Sequence, residues 1–202
     1  MRSMKHRTGN LLGRLLCAVL LCCGLMAGSA LADSLTFNNI YATVNVPSTY
    51  VVLTKNNLSQ HPEAMERLAT TVEMTEDDWA ARGVMAQAWT ENYDVCIEFT
   101  AVQDEQALQY FNIATQSSEV RKAYRTAHKD GTLYGAAGYT YEDSAWKKGK
   151  AYGTMLYLTY RYAADGETWS GYQYRTIRNG YTITVDYKVL DRERKKADAT
   201  AL

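Results

Sequence analysis

An Asn-Gly pair near the end of the chain constrains the fold more than any other short feature of the sequence. Asn179-Gly180 separates two segments in which aromatic and β-branched residues alternate with polar ones. A two-residue type I′ turn needs positive φ at both central positions, which Asn and Gly adopt readily, so the pair predicts a tight β-hairpin. This turn sets Val185 opposite Tyr174, with both side chains on one face. The chain is therefore expected to build an antiparallel sheet.

A further strand is predicted before this hairpin, around Leu158. Residues 152–189 are therefore expected to form a three-strand meander. The turn between the first two strands contains Asp165-Gly166. A two-residue loop would pair Leu158 with Gln173 and mix apolar with polar positions. A three-residue loop, which includes the preceding alanine, would pair Leu158 with Tyr172 instead. We expect the three-residue loop, because it gives the meander a single apolar face.

That apolar face needs a partner, and two helices provide one. Apolar residues at helical spacing predict one helix that begins after Asp104 and another that begins after Ser117 or Ser118. Their apolar stripes must be buried against something, and the sheet face is the largest apolar surface predicted. The face expected to lie against them contains Leu156, Leu158, Tyr172, Tyr174, Ile183 and Val185. The opposite face, which contains Arg175, Thr184 and Asp186, is expected to point away.

The preceding part of the chain alternates short strands with short helices. Pro62 suits the first turn of a helix, Thr75 suits a cap, and Gly131 suits the end of the helix after Ser118. Further strands are predicted at residues 38–46, 50–54, 84–90, 94–101 and 133–142, and residues 143–150 are predicted to form a loop. The predicted fold class is α+β: an antiparallel β-sheet with a C-terminal three-strand meander, flanked by helices.

The N-terminus has the order of a secretory signal peptide. Basic residues precede an apolar run of about a dozen residues, and Ala30-Leu31-Ala32 forms a small-residue cleavage site. The apolar run is too short to span a bilayer, which disfavours the alternative of an uncleaved anchor. We therefore expect a signal peptide at residues 1–32, a single α+β domain at 33–190 and a flexible charged tail at 191–202. The mature chain should be exported, either secreted or associated with the cell envelope.

The net charge bears on the possible partners, and the cysteine content bears on disulfide bonds. The whole chain has a net charge of zero, and the signal peptide removes four basic residues and no acidic ones. The remaining domain is mildly acidic, which argues against nucleic acid as a partner. No membrane span is predicted in it. Cys96 is the one cysteine after residue 32, so an internal disulfide is not expected, and a structural thiol fits its place in a strand.

Catalytic and cofactor motifs are missing from the sequence after residue 32. It contains no nucleophile elbow, phosphate loop, zinc-ligand spacing or Cys-x-x-Cys. We therefore expect no metal and no cofactor, and we favour a non-enzymatic binding or interaction module whose partner is a protein or a small ligand. The alternative is an envelope hydrolase that uses a pair of carboxylates, as glycosidases do.

Tyrosine is concentrated in the C-terminal part of the chain, where residues 134–187 hold eleven of the sixteen tyrosines. Tyrosine suits a half-exposed sheet, and it also suits a surface that binds sugar, peptide or protein. The candidate binding residues are Trp146, Lys147 and Lys148, which combine an apolar anchor with cations.

The order of these elements resembles the Mog1/PsbP-like fold of small exported bacterial proteins. The resemblance depends on an early hairpin that enters a Pro-x-x-aromatic turn at Pro47-Ser48-Thr49-Tyr50, on the middle hairpin and helices, and on a closing meander with Asn179-Gly180. It extends over residues 35–190. It implies an antiparallel sheet flanked by helices and a binding or assembly role rather than hydrolysis. No functional residue of the photosystem or Ran-binding relatives can be matched to a position here.

Overall fold

The structure, a computed structural model, describes residues 17–19, 32–68, 76–130, 138–150, 152–164 and 166–190. These ranges contain ten strands: β1 Cys17–Val19, β2 Ala32–Phe37, β3 Ala42–Pro47, β4 Val51–Leu53, β5 Val84–Trp89, β6 Val95–Val102, β7 Tyr139–Gly149, β8 Gly153–Ala164, β9 Glu167–Arg178 and β10 Tyr181–Leu190. They also contain four α-helices: α1 Pro62–Leu68, α2 Glu76–Ala81, α3 Glu105–Tyr110 and α4 Ser118–Lys129. Single 3₁₀ turns lie at Leu58–Gln60 and Ile113–Thr115. The α+β class predicted from the sequence is confirmed.

Within the described ranges, the strands form a large antiparallel sheet and a small mixed sheet, in which β1 is parallel and β2 antiparallel to β3. The large sheet has the order β4-β5-β6-β10-β9-β8-β7, and every neighbouring pair in it is antiparallel. The small sheet has the order β1-β3-β2. The predicted C-terminal meander is β8-β9-β10, and β7 extends it to the edge of the sheet.

The turn between β9 and β10 has the predicted geometry. Asn179 has φ of 52° and Gly180 has φ of 75°, so both occupy the left-handed region that a type I′ turn requires. Val185 lies opposite Tyr174, as expected from a two-residue loop. Local turn chemistry therefore determines the register of this hairpin.

The turn between β8 and β9 differs from the prediction. Leu158 pairs with Gln173, and Ala164 pairs with Glu167, which leaves a two-residue connection. Gly166 has φ of 83°, and Asp165 lies outside the described residues. The three-residue loop was wrong because it assumed that one face of the sheet must be uniformly apolar. In fact both faces of the sheet are covered by other parts of the chain. A buried face can therefore contain polar and apolar residues together, as the pairing of Leu158 with Gln173 shows.

This register changes what packs on each face of the sheet. We call the face that carries Leu158 and Asp186 the helix-side face, and the face that carries Tyr172 and Val185 the hairpin-side face. Leu156, Leu158 and Ile177 form a cluster with Ala107, Ile113 and Tyr124, which belong to α3, the second 3₁₀ turn and α4. Tyr172 and Val185 instead join Val44 and Val46 of β3.

The sequence predicted that six residues of the meander lie against the helices. This prediction was correct for Leu156 and Leu158. It was wrong for the other four, which lie on the hairpin-side face: Tyr172, Tyr174, Ile183 and Val185. The polar residues predicted to point away from the helices are on the helix-side face. Arg175 and Thr184 are 8% exposed, and Asp186 is 7% exposed. Covering the hairpin-side face with β2 and β3 frees the helices to pack on the opposite side.

Strand β7 replaces the loop predicted at residues 143–150. The pairing with β8 shifts between Tyr141 and Asp143, which is a β-bulge at Glu142. Because of this bulge, Tyr139 and Tyr141 lie on the same helix-side face as Trp146. Residues 139–142 of β7 lie within the strand predicted at 133–142, and residues 133–137 of that prediction lie outside the described residues. The rest of β7 was missed because its charged residues resemble a loop, whereas charges are common on strands at the edge of a sheet.

Helix starts agree with the predicted caps. Pro62 is the first residue of α1. The Asp104 carboxylate accepts a 2.7 Å hydrogen bond from the backbone N–H of Ala107, and the Ser117 hydroxyl accepts one from the N–H of Val120. Thr75, Gly131 and the predicted tail at 191–202 lie outside the described residues. The predicted signal peptide does so as well, apart from residues 17–19 and 32.

Candidate functional site

An open cleft of about 470 Å³ lies on the helix-side face of the large sheet. Its floor consists of side chains from β6, β9 and β10. One wall is formed by Tyr139 and Tyr141 of β7, and the other by Arg82 after α2 and by Asp104 before α3. The volume is within the usual range of small-molecule sites.

The floor is a row of polar residues that crosses neighbouring strands. Glu98 pairs directly with Asp186, and Asp186 pairs directly with Gln173. The next row continues with Thr184 beside Arg175. Because alternate residues of a strand point to the same face, polar residues at matching positions converge on one surface. Strand pairing therefore assembles this site from residues far apart in sequence.

Asp186 is the most deeply placed acid in the cleft. Its Oδ1 accepts a 2.8 Å hydrogen bond from the Tyr160 hydroxyl, and its Oδ2 accepts a 3.3 Å bond from Nε2 of Gln173. Burial raises the pKa of Asp186 to about 6; the positive charge of Lys188 acts in the opposite direction, and the carboxylate of Glu98 adds to the rise. This carboxyl can therefore exchange a proton near neutral pH.

The second floor acid, Glu98, accepts hydrogen bonds at both of its carboxylate oxygens. Nη2 of Arg82 donates to both carboxylate oxygens, at 3.0 Å and 2.9 Å. Nε2 of Gln87 donates to Oε2 at 2.6 Å, and Oε1 of Gln87 accepts from Nε1 of Trp89 at 2.8 Å. Charge-assisted bonds of this kind are shorter and stronger than hydrogen bonds between neutral groups. Glu98 and Arg82 thus form a preorganised ion pair at the edge of the cleft.

Gln173 connects the floor with the aromatic wall. Its Oε1 accepts a 3.0 Å hydrogen bond from Nε of Arg175 and a 3.4 Å bond from the Tyr141 hydroxyl. The ring of Tyr139 stacks beside that of Tyr141, with centroids 6.1 Å apart and ring planes 23° apart. Burial raises the pKa of both phenols, so both stay neutral at physiological pH. The wall therefore offers aromatic surface with polar edges.

Beyond the cleft, the helix-side face continues into a buried cluster around Lys188. Nζ of Lys188 lies 5.7 Å from the ring centroid of Trp89 and 5.4 Å from that of Trp169. Cys96 is a free buried thiol in the same region, and burial raises its pKa well above the usual value. A thiol that is buried and protonated is not a nucleophile, which agrees with the structural role predicted for it.

The candidate residues chosen from the sequence, Trp146, Lys147 and Lys148, do not line the cleft. Trp146 is on the helix-side face, where its ring stacks on Tyr124 with centroids 6.1 Å apart. Nζ of Lys147 lies over the Tyr157 ring at 5.3 Å on the opposite face, and Lys148 is exposed. The strand geometry directs Trp146 and Lys147 to opposite sides of the sheet, and a binding role for this segment stays a prediction.

The residues of the cleft were missing from the sequence-based candidates, although a signal for them exists. Glu98 interrupts the apolar run from Val95 to Ala101, and Gln173 and Asp186 occupy matching positions on either side of the Asn-Gly turn. A polar residue at the same lateral position in three strands indicates a polar site in a sheet. Recognising it also requires the pairing of β6 with β10, which is a long-range contact.

In the ranges that the structure covers, no group of three or more His, Cys, Asp or Glu residues could hold a metal ion. No helix in those same ranges has the length and apolar character needed to cross a membrane.

Comparisons with known proteins find similarity in structure only. No protein-family model and no curated protein sequence matches the chain. The chain is similar to the solution structure of cyanobacterial PsbP (CyanoP) from Synechocystis sp. PCC 6803, with 13% identity and a TM-score of 0.43 over 83% of this chain and 84% of that one. It is also similar to the crystal structure of PA94, a protein of unknown function and putative regulator from Pseudomonas aeruginosa, with 8% identity and a TM-score of 0.33 over 84% and 86% of the two chains.

Proposed function

We propose that this chain is an exported, non-enzymatic binding module of the cell envelope or exterior, and that the polar cleft is its ligand site. The observation that carries the proposal is the row of Glu98, Asp186 and Gln173 on the floor of an open cavity of about 470 Å³. Polar groups that converge on an open cavity are typical of a site for a polar ligand. The order of the N-terminal segment supports export.

The bonding of the floor favours binding over catalysis. Both oxygens of Glu98 accept hydrogen bonds from Arg82, and one accepts a further bond from Gln87. A carboxylate held in this way is a poor nucleophile, because attack on a substrate would break its existing bonds. The same bonds fix the positions of groups that a ligand can contact without rearrangement, which favours affinity.

A hydrolase is the second candidate, and one observation supports it. Glu98 and Asp186 are direct cross-strand neighbours in the cleft, a position in which Cβ atoms are about 4.5–5.5 Å apart. Asp186, with its pKa of about 6, has the property expected of a general acid. Hydrolysis of fluorogenic glycosides that disappears in Asp186→Asn would establish this candidate. We expect no turnover by the wild-type protein above that of this variant.

A thermal-shift screen with a library of polar small molecules tests the binding proposal. Ligands of the native state raise the melting temperature, and filling the cleft should abolish that shift. Thr100 lines the cleft, so Thr100→Phe is the blocking variant. Thr140 is exposed beside the Tyr139–Tyr141 wall but points to the other face, so Thr140→Phe is the matched control. Compounds that stabilise Thr100→Phe as much as the wild type would show that the cleft is not the site.

A further inference from the structure

We infer that the ligand of the cleft is a neutral, polyhydroxylated molecule, a saccharide. This inference rests on the proposed function, since it specifies what the same cleft binds. Three properties of the cleft carry it: an aromatic wall, a floor of planar polar groups, and charged groups of both signs that already have partners within the protein.

The aromatic wall suits one face of a sugar ring. A saccharide has C–H groups on its ring faces and hydroxyl groups around its edge, so it can stack on an aromatic ring and form hydrogen bonds at the same time. Tyr139 and Tyr141 line the cleft, and their rings lie nearly parallel, 6.1 Å apart. Large rigid side chains that combine apolar area with a polar edge suit a ligand that is itself amphipathic.

The floor supplies hydrogen-bonding groups of both kinds. Glu98 and Asp186 present carboxyl oxygens, Gln173 presents an amide and Arg175 presents a guanidinium. Thr100 adds a hydroxyl to the same surface. A sugar hydroxyl both donates and accepts, so a mixed floor can satisfy several adjacent hydroxyls. A floor made only of donors would instead favour an anion.

The charged groups of the cleft already have partners without a ligand. Arg82 is paired with Glu98 at 2.9 Å, and Arg175 lies beside the Asp186–Gln173 pair, so two cations accompany two acids. The remaining acid, Asp104, already accepts bonds from the Ala107 N–H and from the Thr182 hydroxyl. A ligand with net charge would meet both signs at short range and would have to displace an existing partner. A neutral ligand leaves every pair intact.

Isothermal titration calorimetry on the full chain with three groups of probes tests this inference. The first group is a panel of neutral disaccharides (maltose, cellobiose, mannobiose and chitobiose), the second is the zwitterionic dipeptides Gly-Gly and Ala-Ala, and the third is inorganic phosphate. We expect binding by at least one disaccharide and none by the dipeptides or phosphate.

A pair of matched variants locates the binding. Tyr141→Leu removes one of the two rings of the aromatic wall and should weaken disaccharide affinity by about two- to tenfold, the range expected for the loss of one aromatic contact. Tyr157 lies on the hairpin-side face of the same sheet, and Tyr157→Leu should leave the affinity unchanged. Equal losses in the two variants, or none in either, would contradict the assignment of the sugar to this wall.

The outcomes separate the two proposals. Binding of dipeptides or phosphate, without any disaccharide, and sensitive to Thr100→Phe, would overturn the saccharide assignment and leave the cleft as the ligand site. Both proposals would be overturned if none of the three probe groups binds and if no compound of the polar screen loses its thermal shift in Thr100→Phe.

Discussion

The hydroxyl of Tyr160 reaches Oδ1 of Asp186 at 2.8 Å from two strands away. Strand β9 lies between them, and Gly171 is the β9 residue paired with Tyr160. A Cβ atom on Gly171 would lie 2.4 Å from Cζ of the Tyr160 ring, so the ring can cross β9 only because this residue has no side chain. A glycine, a tyrosine and an aspartate on three strands thus act together to position the buried acid of the cleft.

Removing the Tyr160 hydroxyl tests the hydrogen bond directly. Tyr160→Phe should destabilise the protein by about 1–3 kcal/mol at pH 7, because a buried carboxylate loses a donor and gains none. It should also raise the pKa of Asp186 further, since this hydrogen bond lowers it. Urea denaturation at pH 7 measures the first effect. Tyr162→Phe is the control, because Tyr162 is not a partner of Asp186; equal costs in the two variants would mean that the bond contributes nothing.

Gly171→Ala tests the steric part of the same arrangement. The added methyl group overlaps the Tyr160 ring, and overpacking of this kind typically costs about 1–3 kcal/mol. The double variant Gly171→Ala/Tyr160→Leu removes the overlap, so the two changes should be strongly non-additive. Chemical denaturation of the four proteins in this cycle gives the coupling. Additive costs would show that the ring does not lie over Gly171.

The buried acid should make stability fall as pH rises. Asp186 has a pKa of about 6 in the folded protein and an ordinary value of 3.8, so the native state binds more protons between these two values. Asp186 therefore contributes about 3 kcal/mol to the free energy of unfolding below pH 3.8, and this contribution is lost as pH rises through 6. Between pH 4 and pH 7, the wild type should lose stability relative to Asp186→Asn. A constant difference across this range would contradict the raised pKa.

His128 should act in the opposite direction over the same range. Burial, assisted by the charge of Arg175, lowers the pKa of His128 from 6.5 to about 3, so the unfolded chain binds more protons between these values. Its contribution is present above pH 6.5 and is lost as pH falls towards 3. His128→Phe keeps a ring beside Tyr124, which His128 contacts at 4.1 Å between ring centroids. This variant should lose less stability than the wild type on acidification in a pH series of urea titrations. A parallel loss in the two proteins would mean that the pKa of His128 is the same in the folded and unfolded states.

Local chemistry accounts for the parts of the fold that the sequence predicted well. The Asn179-Gly180 turn, the Asp104 cap and the Ser117 cap each depend on residues within a few positions of one another. Their conformations follow from backbone preferences and short-range hydrogen bonds, which a single sequence displays.

Long-range packing accounts for the parts that the sequence predicted poorly. The register at Gly166 was wrong because the rule of one apolar face fails when β2 and β3 cover the side opposite the helices. The cleft was missed because its acids come from two distant hairpins, and only the pairing of Glu98 with Asp186 brings them together. The residues that line a site can be selected from sequence only after such pairings are known.

A chemical-shift map tests the central claim, that the polar cleft is the ligand site, most directly. The strongest compound from the polar screen would be titrated into uniformly ¹⁵N-labelled full chain, and amide shifts would be followed by two-dimensional NMR. We predict that the largest changes occur at Tyr141, Gln173 and Asp186, with small changes on the hairpin-side face around Tyr157. The largest changes at Trp146–Lys148 or around Tyr157, with little change at Gln173 and Asp186, would contradict the account.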